Sequence, residues 1–184
     1  MMKKSKRSDV DPFIVMDVME SARIAEEKGK DIIHMEVGQP GTPAPKIAKD
    51  YITNEINKNN LGYTVSLGLP ALRTKISKLY GDWYNLDLNP NRIVVTTGSS
   101  GAFILSFSAL FDSGDRVGIG SPSYPSYRQI LKSLSLETVD IQTKLQNRFQ
   151  PVPEDITNNN LNGILVSSPA NPTGSMLDKQ SLEN

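Results

Sequence analysis

Apolar residues recur at helical spacing in the first half of the chain, then give way to short β-branched runs separated by helical stretches. Over residues 13–28, Val15, Met19, Ala22 and Ala25 share one face and Gly29 follows as a stop, which predicts an amphipathic helix. Residues 32–37 predict a short strand, ended by the breaker cluster Gly38-Gln39-Pro40-Gly41-Thr42-Pro43-Ala44-Pro45. A second helix is expected over 46–58. Leu69, Leu72, Ile76, Leu79 and Trp83 form a third apolar stripe, with Pro70 suited to its first turn. From residue 92 the period changes. Residues 92–96, 116–120, 136–141 and 163–167 read as strands, while 102–111 and a stretch running through Leu134 read as helices. Residues 143–162 are expected to be irregular. Strand–helix alternation of this kind predicts an α/β fold: a mostly parallel sheet with helices on both faces, preceded by an N-terminal helical segment. A last helix starts near Leu177 with Asp178 as its cap and stops at Asn184, too short to bury a face. The chain is therefore expected to be a fragment.

Bulk composition narrows the partners. The 184 residues carry 20 basic and 20 acidic side chains for a net charge of zero, which argues against nucleic acid or an anionic membrane. The basic cluster Lys3-Lys4-Ser5-Lys6-Arg7 is read as a solvated terminus. No signal-peptide pattern follows it, and no apolar run is long enough to cross a bilayer, so a cytoplasmic location is expected. With no cysteine there is no disulfide, thiolate metal site or cysteine nucleophile. The single histidine, His34, lies in the strand-like run and is read as a packed residue, and no metal site is expected.

Three strand ends carry unusual loops, at the sheet edge where open α/β folds bind ligands. Thr97-Gly98-Ser99-Ser100-Gly101 opens a helix, and its small residues let backbone N–H groups point outward, where an anion such as a phosphate fits. An ordinary Ser/Gly helix cap is the plainer alternative. The spacing is neither the dinucleotide fingerprint nor a Lys-bearing phosphate loop. Next, Ser121-Pro122-Ser123-Tyr124-Pro125 holds an aromatic ring in stiff backbone, either to stack on a planar ligand or simply to pack. Third, Ser167-Ser168-Pro169-Ala170-Asn171-Pro172-Thr173-Gly174 presents the amide of Asn171 between prolines, as a ligand donor or as a turn residue.

Phosphate cradle, stacking face and amide donor in this order resemble the class I/II aminotransferases, most closely the aspartate-aminotransferase-like branch. The resemblance runs from about Phe13 onward and includes Val37-Gly38-Gln39-Pro40, Gly62-Tyr63-Thr64 and Gly68-Leu69-Pro70-Ala71-Leu72-Arg73. It implies pyridoxal 5′-phosphate as cofactor, with residues 1–45 an N-terminal arm or small-domain segment and 46–184 an incomplete cofactor-binding large domain. Position by position, Ser99 and Ser100 would bind the phosphate, Tyr124 would stack on the pyridine ring and Asn171 would bond its phenolic oxygen. Tyr63 would reach the phosphate of a neighbouring subunit, implying a homodimer when full length. Gly38 would offer its backbone to the substrate carboxylate. The Ser121-Pro122 and Asn171-Pro172 bonds would be cis. The family's Schiff-base lysine, its pyridinium-binding aspartate and its carboxylate-clamping arginine would all fall after Asn184, and Lys179 comes too early to serve.

The resemblance thus implies transfer of an amino group between an L-amino acid and a 2-oxo acid, with no catalytic residue in this chain and no turnover by it alone. A lyase of the same fold, a non-catalytic fold remnant, and a fragment that folds poorly are the competing readings.

Overall fold

The computed structural model describes residues 3–183. Two compact units emerge, one from Val15 to Thr96 and one that joins the residues up to Ile14 with those from Thr97 onward.

In the first unit, α1 (Ile14–Glu27), α2 (Lys46–Ile56) and α3 (Pro70–Tyr84) lie where the three helices are expected. The turn into α3 explains the Gly68–Arg73 block in structural terms. Gly68 has φ +94°, and a Cβ there would sit 2.6 Å from the Val95 Cβ, so only glycine fits. Pro70 occupies the first turn, where its missing N–H costs nothing. Arg73, 6% exposed, donates to the Pro90 carbonyl at 3.0 and 2.9 Å and to Asn91 Oδ1 at 2.8 Å, tying α3 to the 3-10 turn Pro90–Arg92. Asn85 closes α3 in the left-handed conformation, φ 54°.

Two expected strands do not form here. Residues 32–37 and 92–96 are not in strand conformation, and Ile33, Met35 and Val94 remain exposed. Alternating β-branched sequence makes a strand only where a neighbouring backbone accepts its bonds, and the Val95 N–H finds just the Leu67 carbonyl, at 3.0 Å. His34 also departs from its expected packed role. It is exposed, with Nδ1 2.6 Å from Glu36 Oε1 and Nε2 2.9 Å from Glu26 Oε1. Carboxylates only accept, so both ring nitrogens donate and the ring is the imidazolium. Glu36, then Glu26, hold its pKa up to about 9.

The second unit is built on a three-stranded parallel sheet of order β2-β1-β3, with β1 (Arg116–Ser121) central between β2 (Glu137–Gln142) and β3 (Gly163–Leu165). Val117 and Ile119 point to one face and are fully buried with Leu131, among Phe107, Ile130 and Leu136. That face is covered by α4 (Gly98–Leu110) and α5 (Ser126–Ser133), the latter burying Tyr127, Ile130 and Leu131 at helical spacing. On the opposite face, Cβ atoms at Gly118 and Gly120 would meet Leu161, Ile141, Thr143 and Pro151. The segment expected to be irregular supplies this second cover. It contains the 3-10 turn Leu145–Asn147 and a helix, α6 (Pro153–Asn159). Pro153 starts α6, and the Asp155 carboxylate accepts from the Val152 N–H at 2.9 Å, a polar start signal that an apolar-periodicity reading passes over. The last helix, α7 (Lys179–Glu183), is capped by Asp178 Oδ1 accepting from the Ser181 N–H at 2.8 Å, as expected; Asn184 lies outside the described residues. Among the described residues no helix is long and apolar enough to cross a membrane.

Two outcomes test these assignments. Gly68→Ala combines left-handed strain with a clash against a β-branched neighbour and is expected to cost about 2–4 kcal/mol, measured by denaturant unfolding followed through Trp83. Raised above its ordinary 6.5, the His34 pKa makes the Glu26–His34–Glu36 tie fully present below that value and lost as pH rises through about 9. An NMR titration of this sole histidine is expected to show its midpoint near 9, and Glu36→Gln to bring it down towards 6.5.

Candidate active site

Parallel pairing aligns the C-terminal ends of β1 and β3. Val117 pairs with Gly163 and Ile119 with Leu165, so the loops that follow, with Tyr124 and Asn171, leave the same edge of the sheet. The Ser121-Pro122 and Asn171-Pro172 bonds are cis as expected, and Ser168-Pro169 is a third, which the sequence reading does not include.

Ser99 and Ser100 lie exposed in the first turn of α4, where backbone N–H groups point out of the helix end. Ser100 and Tyr124 line one open recess of about 430 Å³, within the range of about 300–1,000 Å³ common for small-molecule sites. Its wall also includes Val10, Asp11, Phe13 and Gln129. Ser126 Oγ, buried in the same wall, has no hydrogen-bond partner among the described residues. Tyr124 is fixed by ring contacts on two sides, edge-on to Phe13 at 5.9 Å and to Tyr127 at 5.5 Å. The contacts continue from Tyr127 to Phe103 at 5.1 Å, Phe103 to Phe107 at 5.5 Å and Phe107 to Phe111 at 6.0 Å. One ladder of rings thus joins the recess to the buried core.

Asn171 opens on a second recess, shared with Pro122 and Ser123, the two residues that precede Tyr124. The three side chains therefore do not line one cavity: Ser100 and Tyr124 meet, and Asn171 borders the adjoining one. The loop carrying Asn171 is closed at its neck. The Ala170 N–H donates to the Ser175 carbonyl at 2.8 Å and the Gly174 N–H to the Ala170 carbonyl at 2.7 Å. Gln150, 5% exposed, donates through Nε2 to the Ser167 carbonyl at 3.2 Å and to the Ser175 carbonyl and Oγ, each at 3.1 Å. Gly38 and Tyr63 belong to the other compact unit, both exposed, with open space around a Cβ placed at Gly38. No group of acidic or histidine side chains able to hold a metal ion occurs among the described residues.

Comparison with known proteins decides what these fixtures belong to. The family profile described as "Aminotransferase class I and II" matches residues 30–184. The chain belongs to the class I and II aminotransferases. It is 41% identical over 178 residues to the valine–pyruvate aminotransferase of Mycobacterium tuberculosis, covering 96% of this chain and 46% of that protein. Among solved structures, an aminotransferase from Mycobacterium tuberculosis superposes with TM-score 0.92 at 40% identity, covering 99% of this chain and 48% of that one. The aspartate aminotransferase of Thermus thermophilus with maleate gives TM-score 0.90 at 26% identity, covering 100% and 49%. The chain thus spans about half the length of the relatives it matches, and its α/β architecture is the aspartate-aminotransferase-like one.

Aminotransferases of this class depend on pyridoxal phosphate. The residues present fit that group: first-turn N–H groups and hydroxyls for an anion, an immobilised ring for a planar heterocycle, and a partnerless buried hydroxyl in the recess wall. Sequence reasoning missed Phe13, Gln129 and Gln150. Phe13 was read only as the start of a helix, and a buried glutamine leaves no mark in hydropathy.

Proposed function

We propose that this aminotransferase chain supplies the phosphate-binding and ring-binding part of a site that moves an amino group between an L-amino acid and a 2-oxo acid. Pyridoxal phosphate, when bound, supplies the electron-accepting ring on which that exchange depends. The shared recess of Ser100 and Tyr124, with its partnerless Ser126 hydroxyl, is the observation that carries the proposal.

In this reading the exposed N-terminus of α4 holds the phosphate through the N–H groups and hydroxyls of Ser99 and Ser100, where the helix dipole favours negative charge. Tyr124 lies against the pyridine ring, kept in place by Phe13 and Tyr127. Asn171 donates to the phenolic oxygen and so favours its deprotonated form. Gly38 receives the substrate carboxylate on its backbone, and Tyr63, fully exposed, reaches the phosphate held by a second copy in a homodimer. The division at residue 45, between an arm and the cofactor-binding domain, and a cytoplasmic location belong to the same reading. The resemblance places the family's lysine after residue 184, so the 184 residues alone are expected to bind without turnover.

Binding of pyridoxal phosphate and of pyridoxal, which lacks the phosphate, is the test. Ser100→Ala is expected to weaken pyridoxal phosphate on the order of tenfold and to leave pyridoxal unchanged, since only the former offers a charged acceptor. Equal losses for both ligands overturn the phosphate assignment. With pyridoxal phosphate, an L-amino acid and 2-oxoglutarate, the chain is expected to form no product, and measured turnover overturns that part.

A further inference from the structure

Gln150 stands in the segment whose sequence reads as irregular, yet it is among the most buried polar residues described. Its backbone is rigidly set. Arg148 and Phe149 are both left-handed, φ 52° and 54°, and the N–H groups of Phe149 and Gln150 donate to the Lys144 and Asn147 carbonyls, each at 2.9 Å. Pro151 follows and lies over Gly120 in β1. From this base the side-chain amide crosses to both ends of the loop that carries Asn171. Two of its three partners are carbonyl oxygens, which only accept, so the amide nitrogen and not the oxygen faces them. Its two amide protons thus face three acceptors, one at Ser167 and two at Ser175. Thr173 Oγ1 lies 2.8 Å from the same Ser175 Oγ, which extends the closure into the loop. Gln150 and Asn171 also border the same recess.

We propose that Gln150 is a positioning residue: by joining Ser167 to Ser175 it closes the neck of the loop and sets where Asn171 stands. This rests on the reading of Asn171 as the cofactor's amide donor. A flexible loop would have to be ordered when the ligand arrives, and a closed neck removes that cost before binding.

Gln150→Met keeps the side chain's length and removes its donors. Hydrogen exchange on the 184-residue chain is expected to rise on the order of tenfold at Ala170 and Gly174, with Val117 and Ile119 unchanged. If that variant fails to fold, Ser175→Ala, which loses the Oγ contacts with Gln150 and Thr173 but keeps the two carbonyl contacts of Gln150, is expected to raise exchange at the same two amides by about threefold. Unchanged exchange there overturns the clamp. The affinity for pyridoxal phosphate is then measured in Gln150→Met, Asn171→Ala and the double variant. The double variant is expected to bind no more weakly than Asn171→Ala, because one residue acts through the other. Additive losses overturn the positioning role. If Asn171→Ala alone leaves affinity unchanged, the assignment of Asn171 falls, and the clamp is decided by exchange alone.

Discussion

Burial of β1 between two covers is the constraint on which the candidate site depends. Val117 and Ile119 vanish beneath α4 and α5, while Gly118 and Gly120, on the other side, make room for Leu161, Ile141, Ile164, Thr143 and Pro151. A strand enclosed in this way cannot slip by one residue without turning its valine and isoleucine into the tight glycine side. Register with β2 and β3 is fixed in consequence, and so is the edge from which the Tyr124 and Asn171 loops emerge. Full burial of two aliphatic side chains contributes about 3–6 kcal/mol, comparable to a small domain's net stability.

Elements whose stability is local were legible from sequence, and those whose stability is supplied from elsewhere were not. The stripes at α1 and α3 and the strand–helix alternation after Asp115 each carry their own periodicity. Asp178 as a cap and the two cis prolines were also readable, one from helix-start chemistry and the others from family resemblance. Residues 32–37 and 92–96 have strand composition but do not form strands, because strand formation is a property of two segments. The α6 helix begins on Pro153, Glu154 and Asp155, a polar signature that a search for apolar spacing overlooks. His34 was read as packed because it sits among Ile32, Ile33 and Met35; its carboxylate partners are eight and two residues away, and the first is brought near only by folding.

The candidate site divides the same way. Loop residues with distinctive chemistry, Ser100, Tyr124 and Asn171, stand out in a sequence because small, aromatic and amide side chains between prolines and glycines have few structural duties. The groups that hold them do not. Phe13 steadies Tyr124 from 111 positions away, and Gln150 steadies the Asn171 loop from an unpatterned stretch. The Gly68–Arg73 block gives the opposite lesson. It marks the family strongly, yet in the fold it serves a turn and a buried guanidinium anchor rather than the recess.

The aromatic ladder from Phe13 to Phe111 has an optical consequence. Six rings with centroids 5.1–6.0 Å apart, held at fixed mutual angles, place their transition dipoles in an asymmetric and rigid array. Near-ultraviolet circular dichroism of Tyr124 and Tyr127 therefore reports the packing of the recess and the core together. Trp83, which contacts only Tyr84 among the ring pairs described, absorbs further to the red and reports the other compact unit on its own. Tyrosine rings occur in both units, Tyr80 and Tyr84 beside Trp83 in one and Tyr124 and Tyr127 in the other, so the tryptophan band alone belongs to a single unit.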